Sequence, residues 1–232
     1  MAINLINEWL VFSLILLGIW FIIFILKKDI RKEMFLVSLF TMPFGLTEPL
    51  FVPEYWSPPS LFNLATKTGF DIESLIFSFA IGGIAAVIYE ALFKFKHKKM
   101  SKHEMHSRRH RFHLFSLFSP LIVFLPLFFF TELNPIYSAS IAMFVGGLSA
   151  TICRPDLKNK IFIGGLIFLA LYFVFFLSFN LIYPYAVENF WNLKAISGIL
   201  FLGIPLEELL FAFSFGTLWS SIYEHFKWYK YS

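Results

Sequence analysis

The chain has 232 residues; 58% are apolar, 21% are aromatic and only 15% are charged. Such a composition excludes a disordered chain and an ordinary water-soluble enzyme, and it fits a polytopic membrane protein whose first partner is the lipid bilayer. The net charge of +4 does not point to nucleic acid, and none is expected as a partner, because the basic residues fall in short segments between apolar runs, where topology accounts for them.

The first apolar run, about Trp9 to Leu26, is long enough to span a bilayer and is followed by the charged loop Lys27 to Glu33. Met1 to Glu8 carries no positive charge and no small-residue cleavage site follows, so this run reads as a retained span rather than a cleaved signal. A second span, about Met34 to Val52, contains Pro43, Gly45, Glu48 and Pro49 and is expected to kink or unwind near its exit. The loop from Pro53 to Pro59, with Tyr55 and Trp56, precedes a third span at about Ile72 to Phe93. Further spans are expected at about Leu114 to Phe130, Ile136 to Ile152, Ile161 to Tyr183 and Leu206 to Phe226, giving about seven in all. With this assignment every Lys and Arg except Lys67 and Lys194 falls on one side, which places that side and the C-terminus in the cytoplasm and the N-terminus outside.

In the basic segment, His103, His106, His110 and His113 recur at spacings that would line one helical face. Lys and Arg surround them, so an interfacial segment touching anionic lipid is the favoured reading and a metal site is not expected. Cys153 is the single cysteine, which excludes an intrachain disulfide and any CxxC or Cys/His zinc spacing.

The costly residues are Glu207 and Glu208. They follow Pro205, which suits the first turn of a helix, and they open an apolar run that continues to Glu224. That run repeats an earlier one: Glu73, Leu75, Phe77, Phe79, Gly82, Ile88, Tyr89 and Glu90 match Glu207, Leu209, Phe211, Phe213, Gly216, Ile222, Tyr223 and Glu224 without a gap. Only one or two such matches are expected by chance, at roughly the composition of this chain. Upstream, the segment from Pro49 to Trp56 parallels that from Pro184 to Trp191, and Asp29 parallels Asp156. The expected organisation is therefore all-α: two parallel three-helix repeats, residues 1–96 and 134–232, joined by a basic loop and a linking span in 97–133.

These residues resemble the lycopene cyclase domain of the heterodimeric and fused bacterial, archaeal and fungal membrane type. That family has two three-span units, each with an Asp-basic loop, a Trp loop and a Pro-x-Glu-Glu-x-x-Phe helix start. The second copy carries the pattern through Asp156, Trp191, Pro205, Glu207, Glu208, Phe211, Tyr223 and Glu224. In the first copy, Asp71-Ile72-Glu73-Ser74 occupies the place of Pro-x-Glu-Glu, while Glu48 supplies the acidic residue before Trp56 and the second copy has Tyr183 there. The resemblance implies a non-redox cyclisation of a linear polyene end group, with an apolar isoprenoid substrate and no cofactor; a homo-oligomer is compatible with it.

Such chemistry needs a carboxylic acid to protonate a terminal C=C, a sheltered cation, ring closure and a base to take a proton back. Glu207 or Glu208 is expected as the acid and Glu73 as its partner or base. Phe211, Phe77, Trp191, Trp56, Pro205 and Glu48 are expected to bind substrate; Phe213, Phe215, Phe79 and Trp219 add ring faces for a cation. The competing reading places the glutamates in headgroup water and the aromatics against lipid. Glu90 and Glu224 are expected to make surface ion pairs with Lys94 and Lys227. A seven-span retinal photoreceptor is excluded, because no lysine lies between Leu206 and Phe226. A transporter fits poorly, since spans four to six carry almost no ionisable group. A non-catalytic isoprenoid-binding or assembly protein with the same fold remains open, and Ser74 is the feature that favours it.

Overall fold

The structure, a computed structural model, describes residues 7–93 and 97–231. Lys94 and Lys96, both counted above as cytoplasmic charges, lie outside the described residues, as does most of the segment before the first span.

The protein is an all-α membrane protein. Its principal helices are α1 (Glu8–Leu26), α2 (Arg31–Thr41), α4 (Ile72–Leu92), α6 (His113–Phe130), α7 (Pro135–Cys153), α8 (Lys158–Ile182), α10 (Leu206–Trp219) and α11 (Ile222–Lys227). Short helices α3 (Leu64–Thr68), α5 (Lys102–Met105) and α9 (Ala186–Phe190) lie in the connections. Among the described residues, five helical segments are long and apolar enough to cross a membrane: 8–26, 72–92, 108–130, 135–153 and 155–182. Phe130 is 87% exposed and Leu181 85% exposed, side chains that require a hydrocarbon solvent rather than water.

The other two expected spans are broken helices. The second stops being α-helical at Thr41 and continues as a 3-10 helix over Met42–Leu50. Pro43 and Pro49 remove two amide donors and crowd the preceding turn, which an α-helix tolerates poorly. The seventh was expected to run unbroken from Leu206 into the Tyr223-Glu224 end; it is interrupted between Trp219 and Ile222, at Ser220 and Ser221. Ser220 directs its hydroxyl to the Thr217 carbonyl, a local bond that competes with helix propagation.

The chain forms two compact units, residues 1–84 with 173–209 and residues 85–172 with 210–232, so each draws on two separate stretches of the sequence. In the first unit, Trp20 Nε1 donates to Ser38 Oγ at 2.8 Å, and Phe12 packs against Phe175, Phe176 and Phe179. A Cβ on Gly82 would meet the Thr41 side chain, so this glycine sets how closely α2 and α4 cross. In the second unit, α6 and α7 form an antiparallel hairpin of nearly equal arms, and Gly216, the sequence counterpart of Gly82, lies against Gly165 and Phe168.

Two expectations fail in the second unit. The four histidines do not share one helical face: His103 is in α5, His110 is in a 3-10 turn over Arg108–Phe112, and His113 starts α6. Ser101 starts α5, with Glu104 as its reciprocal capping partner, and the helix ends at Met105; His106 and Ser107 lie between it and the 3-10 turn. Nor are Glu90 and Glu224 surface ion pairs. Both are buried, and Lys160, 1% exposed, places its Nζ between Glu90 Oε1 and Glu224 Oε1.

Candidate functional site

Within the first unit, the starts of α1, α4 and α10 meet the 3-10 exit of the second segment, and four glutamates lie there: Glu48, Glu73, Glu207 and Glu208 are all buried. The headgroup-water reading of these residues therefore does not hold.

Glu73 is fixed by the chain before its helix. Asp71 caps α4 by accepting from Ser74 N at 2.6 Å, which puts Glu73 in the first turn. Glu73 Oε1 accepts from Leu61 N at 2.6 Å and from Asn7 Nδ2 at 2.8 Å, while the Glu73 carbonyl accepts from Ser13 Oγ at 3.1 Å. Its Oε2 is buried with no hydrogen-bond partner among the described residues. Phe62 and Asn63, just past Leu61, both have positive φ, a conformation costing about 1–3 kcal/mol per non-glycine residue and concentrated at functional sites.

Glu207 repeats this arrangement. A two-residue turn at Leu202-Gly203, both with positive φ, pairs strand Leu200–Phe201 with Ile204–Pro205. Pro205 thus ends the strand, one residue before the helix it was expected to begin, and it is buried there. Glu207 and Glu208 do occupy the first turn of α10. Glu207 Oε1 accepts from Ser197 N at 2.9 Å, a backbone amide of the preceding loop, as Glu73 does from Leu61.

Glu208 and Glu48 are held by side chains instead. Glu208 Oε1 accepts from Tyr55 OH at 2.5 Å and from Trp191 Nε1 at 2.9 Å. Glu48 Oε2 accepts from Ser74 Oγ at 2.8 Å, leaving Oε1 buried with no partner among the described residues. The 3-10 exit makes this possible. A Cβ on Gly45 would stand 2.6 Å from the backbone of Ser74 and Leu75, so only glycine lets the segment approach α4 closely enough for Glu48 to reach Ser74.

An aromatic wall accompanies these carboxyls. Trp56 and Trp191 pair as an antiparallel bridge, flanked by Ser57 N to Phe190 O and Asn192 N to Tyr55 O, with ring centroids 5.4 Å apart. Trp9 meets Trp56 edge-on at 4.5 Å and Phe77 at 5.1 Å. Phe211 lies in the second unit, against Phe215 and Tyr172.

Among the expected residues, Glu73, Glu207, Glu208, Glu48, Trp56, Trp191, Pro205 and Phe77 all lie in the first unit. Tyr55, Ser74, Trp9 and Asn7 were missed. Tyr55 is next to Trp56, and a buried tyrosine needs a partner for its hydroxyl, which was the available signal. Asn7 lies before the apolar run, at an ordinary capping position, and indeed caps α1 through Leu10 N; nothing local announces its second bond to Glu73.

With this geometry established, comparison with known proteins adds one finding. Residues 134–226 match the family model described as Lycopene cyclase. No curated protein and no solved structure matches the chain.

Proposed function

From the match of residues 134–226 to the lycopene cyclase family model and the apolar helices of the chain, we propose that it is a carotenoid-type cyclase acting on the end group of a long linear polyene. The observation that carries this reading is the set of four buried glutamates beside Trp9, Trp56 and Trp191. A charged or proton-exchanging group in an apolar aromatic setting is costly unless it is used.

The hydrogen bonds divide the labour. Glu73 and Glu207 each commit an oxygen to a loop amide, so they are positioning residues that hold the loops against the helix starts. Glu208 and Glu48 are the proton-transfer pair. One delivers a proton to the terminal C=C; the resulting tertiary cation is attacked by the neighbouring double bond, forming the ring C–C bond. Loss of an adjacent proton to the other carboxylate then restores a C=C, with no net gain or loss of electrons. The Trp56 and Trp191 faces stabilise the cation, and Tyr55 and Trp191 orient Glu208.

A non-catalytic isoprenoid-binding role is the second reading, favoured by Ser74 standing where the second copy has Glu208. The bond from Ser74 to Glu48 supports the cyclase reading instead: a carboxyl reaches that position from another segment, and the second copy, which keeps Glu208, has Tyr183 in place of Glu48.

The test is pigment analysis of lycopene-accumulating cells expressing the chain. One-ring or two-ring carotenes are expected, and Glu208→Gln should lower their formation by about 100-fold or more, the scale of general acid–base catalysis. Unchanged lycopene with the protein present in the membrane would support the binding role instead.

A further inference from the structure

The cytoplasmic-side basic segment and the end of α7 bring together three donors that no reading of the sequence connected. His110 Nδ1 lies 3.5 Å and His113 Nδ1 3.6 Å from Cys153 Sγ, and the three atoms are all within 4.8 Å of one another. All belong to the second unit. We propose that His110, His113 and Cys153 form a binding site for a thiophilic transition-metal ion of the zinc class.

The distances carry the argument. A tetrahedral zinc with bonds of about 2.3 Å to sulfur and about 2.0–2.1 Å to nitrogen separates S from N by roughly 3.5–3.6 Å. Both imidazoles show this separation from the same sulfur. A neutral thiol has one proton and satisfies one imidazole; pairing both rings to it by hydrogen bonds alone requires the second ring to donate to sulfur, a weak acceptor. A metal uses both nitrogens and the thiolate together.

The surroundings are those of a ligand shell. His113 and Cys153 are buried, and the His113 ring stacks on Trp228 at 3.8 Å and 18°, which fixes its plane. His110 meets the same indole edge-on at 5.1 Å. His225, 1% exposed, packs edge-on against His113 with centroids 4.5 Å apart, and its Nε2 has no hydrogen-bond partner among the described residues. A buried imidazole nitrogen without a partner is costly, and His225 stands beside a site whose fourth tetrahedral position is open to water.

The fold explains the convergence. Because α6 and α7 are arms of 18 and 19 residues around one short turn, the first residue of α6 and the last of α7 are level with each other. The arrangement would tie that hairpin end to the C-terminal segment carrying His225 and Trp228.

The test is cobalt(II) titration of the purified full chain in detergent. One equivalent should give tetrahedral d–d absorption and a thiolate-to-cobalt charge-transfer band, both bleached by one equivalent of zinc(II). Cys153→Ser should abolish the charge-transfer band, and His110→Ala and His113→Ala should each weaken cobalt binding by about tenfold or more. His103→Ala with His106→Ala should leave the spectrum intact. Absence of the charge-transfer band in the unaltered chain at excess cobalt would overturn the proposal whatever the variants do. So would a band that survives in Cys153→Ser or is lost in the His103/His106 variant.

Discussion

Asp71 shows how a single side chain here serves two ends in conflict. It caps α4 through Ser74 N, yet it is 2% exposed, and burial, reinforced by the neighbouring Glu73 carboxylate, pushes its carboxyl above the ordinary value of 3.8. A carboxyl raised on folding contributes stability that is complete below 3.8 and is lost as pH rises through the folded value. Asp71→Asn keeps a capping oxygen without a titrating group, so thermal unfolding in detergent should show its melting temperature falling less than that of the unaltered chain as pH is raised above 4. Asp71→Ala should instead cost about 1 kcal/mol below pH 3.8, a cost that shrinks as pH rises through the folded value. Lys160 is the opposite case, a cation made necessary by two buried acids. Lys160→Met would leave Glu90 and Glu224 facing each other, at a cost of about 3–5 kcal/mol. Adding Glu224→Gln to Lys160→Met should restore part of that loss; a strictly additive double variant would show that Lys160 acts through packing alone. The sequence hid this pair of roles because Lys160, near the start of α8, reads as one more loop cation, while its partners are 64 and 70 positions away.

At the scale of elements, the apolar runs announce most of the helices, and the glutamate-led helix starts are visible as charges where charge is expensive. The breaks are less legible. Pro43 and Pro49 signal the 3-10 exit, but at the interruption over Ser220 and Ser221 the Ser220 hydroxyl bonds the Thr217 carbonyl, which hydropathy does not register. The turn that launches α10 carries a cost of its own. Leu202 sits at φ 51, before Gly203 at φ 80, in the two-residue turn pairing Leu200 with Pro205. Such turns favour Asn or Gly at the first position, and a leucine there costs roughly 1–2 kcal/mol. Leu202 is 65% exposed, so its replacement forfeits little packing. Leu202→Asn should raise stability by about 1 kcal/mol in a thermal scan and leave pigment formation unchanged. A loss of pigment formation with normal stability would mean instead that Leu202 contacts substrate or lipid at the mouth of the site.

For the whole molecule, we propose the sidedness that the charge distribution implies. On that reading the N-terminus and the starts of α1, α4 and α10 are outside, with the carboxylate cluster in the outer leaflet and the Lys160 cluster at the cytoplasmic end. Five segments are continuous enough to span by length and composition, and the count of seven depends on the broken second and seventh segments crossing as well. If either failed to cross, every later loop would change sides. The single native cysteine makes the test direct: in a Cys153→Ser background, cysteines placed singly at Lys67, Lys99 and Lys194 report three loops. With seven spans, a membrane-impermeant maleimide added to intact cells labels the first and third and spares the second. Loss of the second crossing would instead protect Lys67 and expose Lys99 in a chain that starts outside. In that event Lys194 would be protected as well, and Glu48, Ser74 and Glu208 would lie together on the cytoplasmic side. Labelling at Lys67 and Lys194 together with a protected Lys99 is the outcome that puts both acids in the outer leaflet, where a polyene end group entering from that side can meet them.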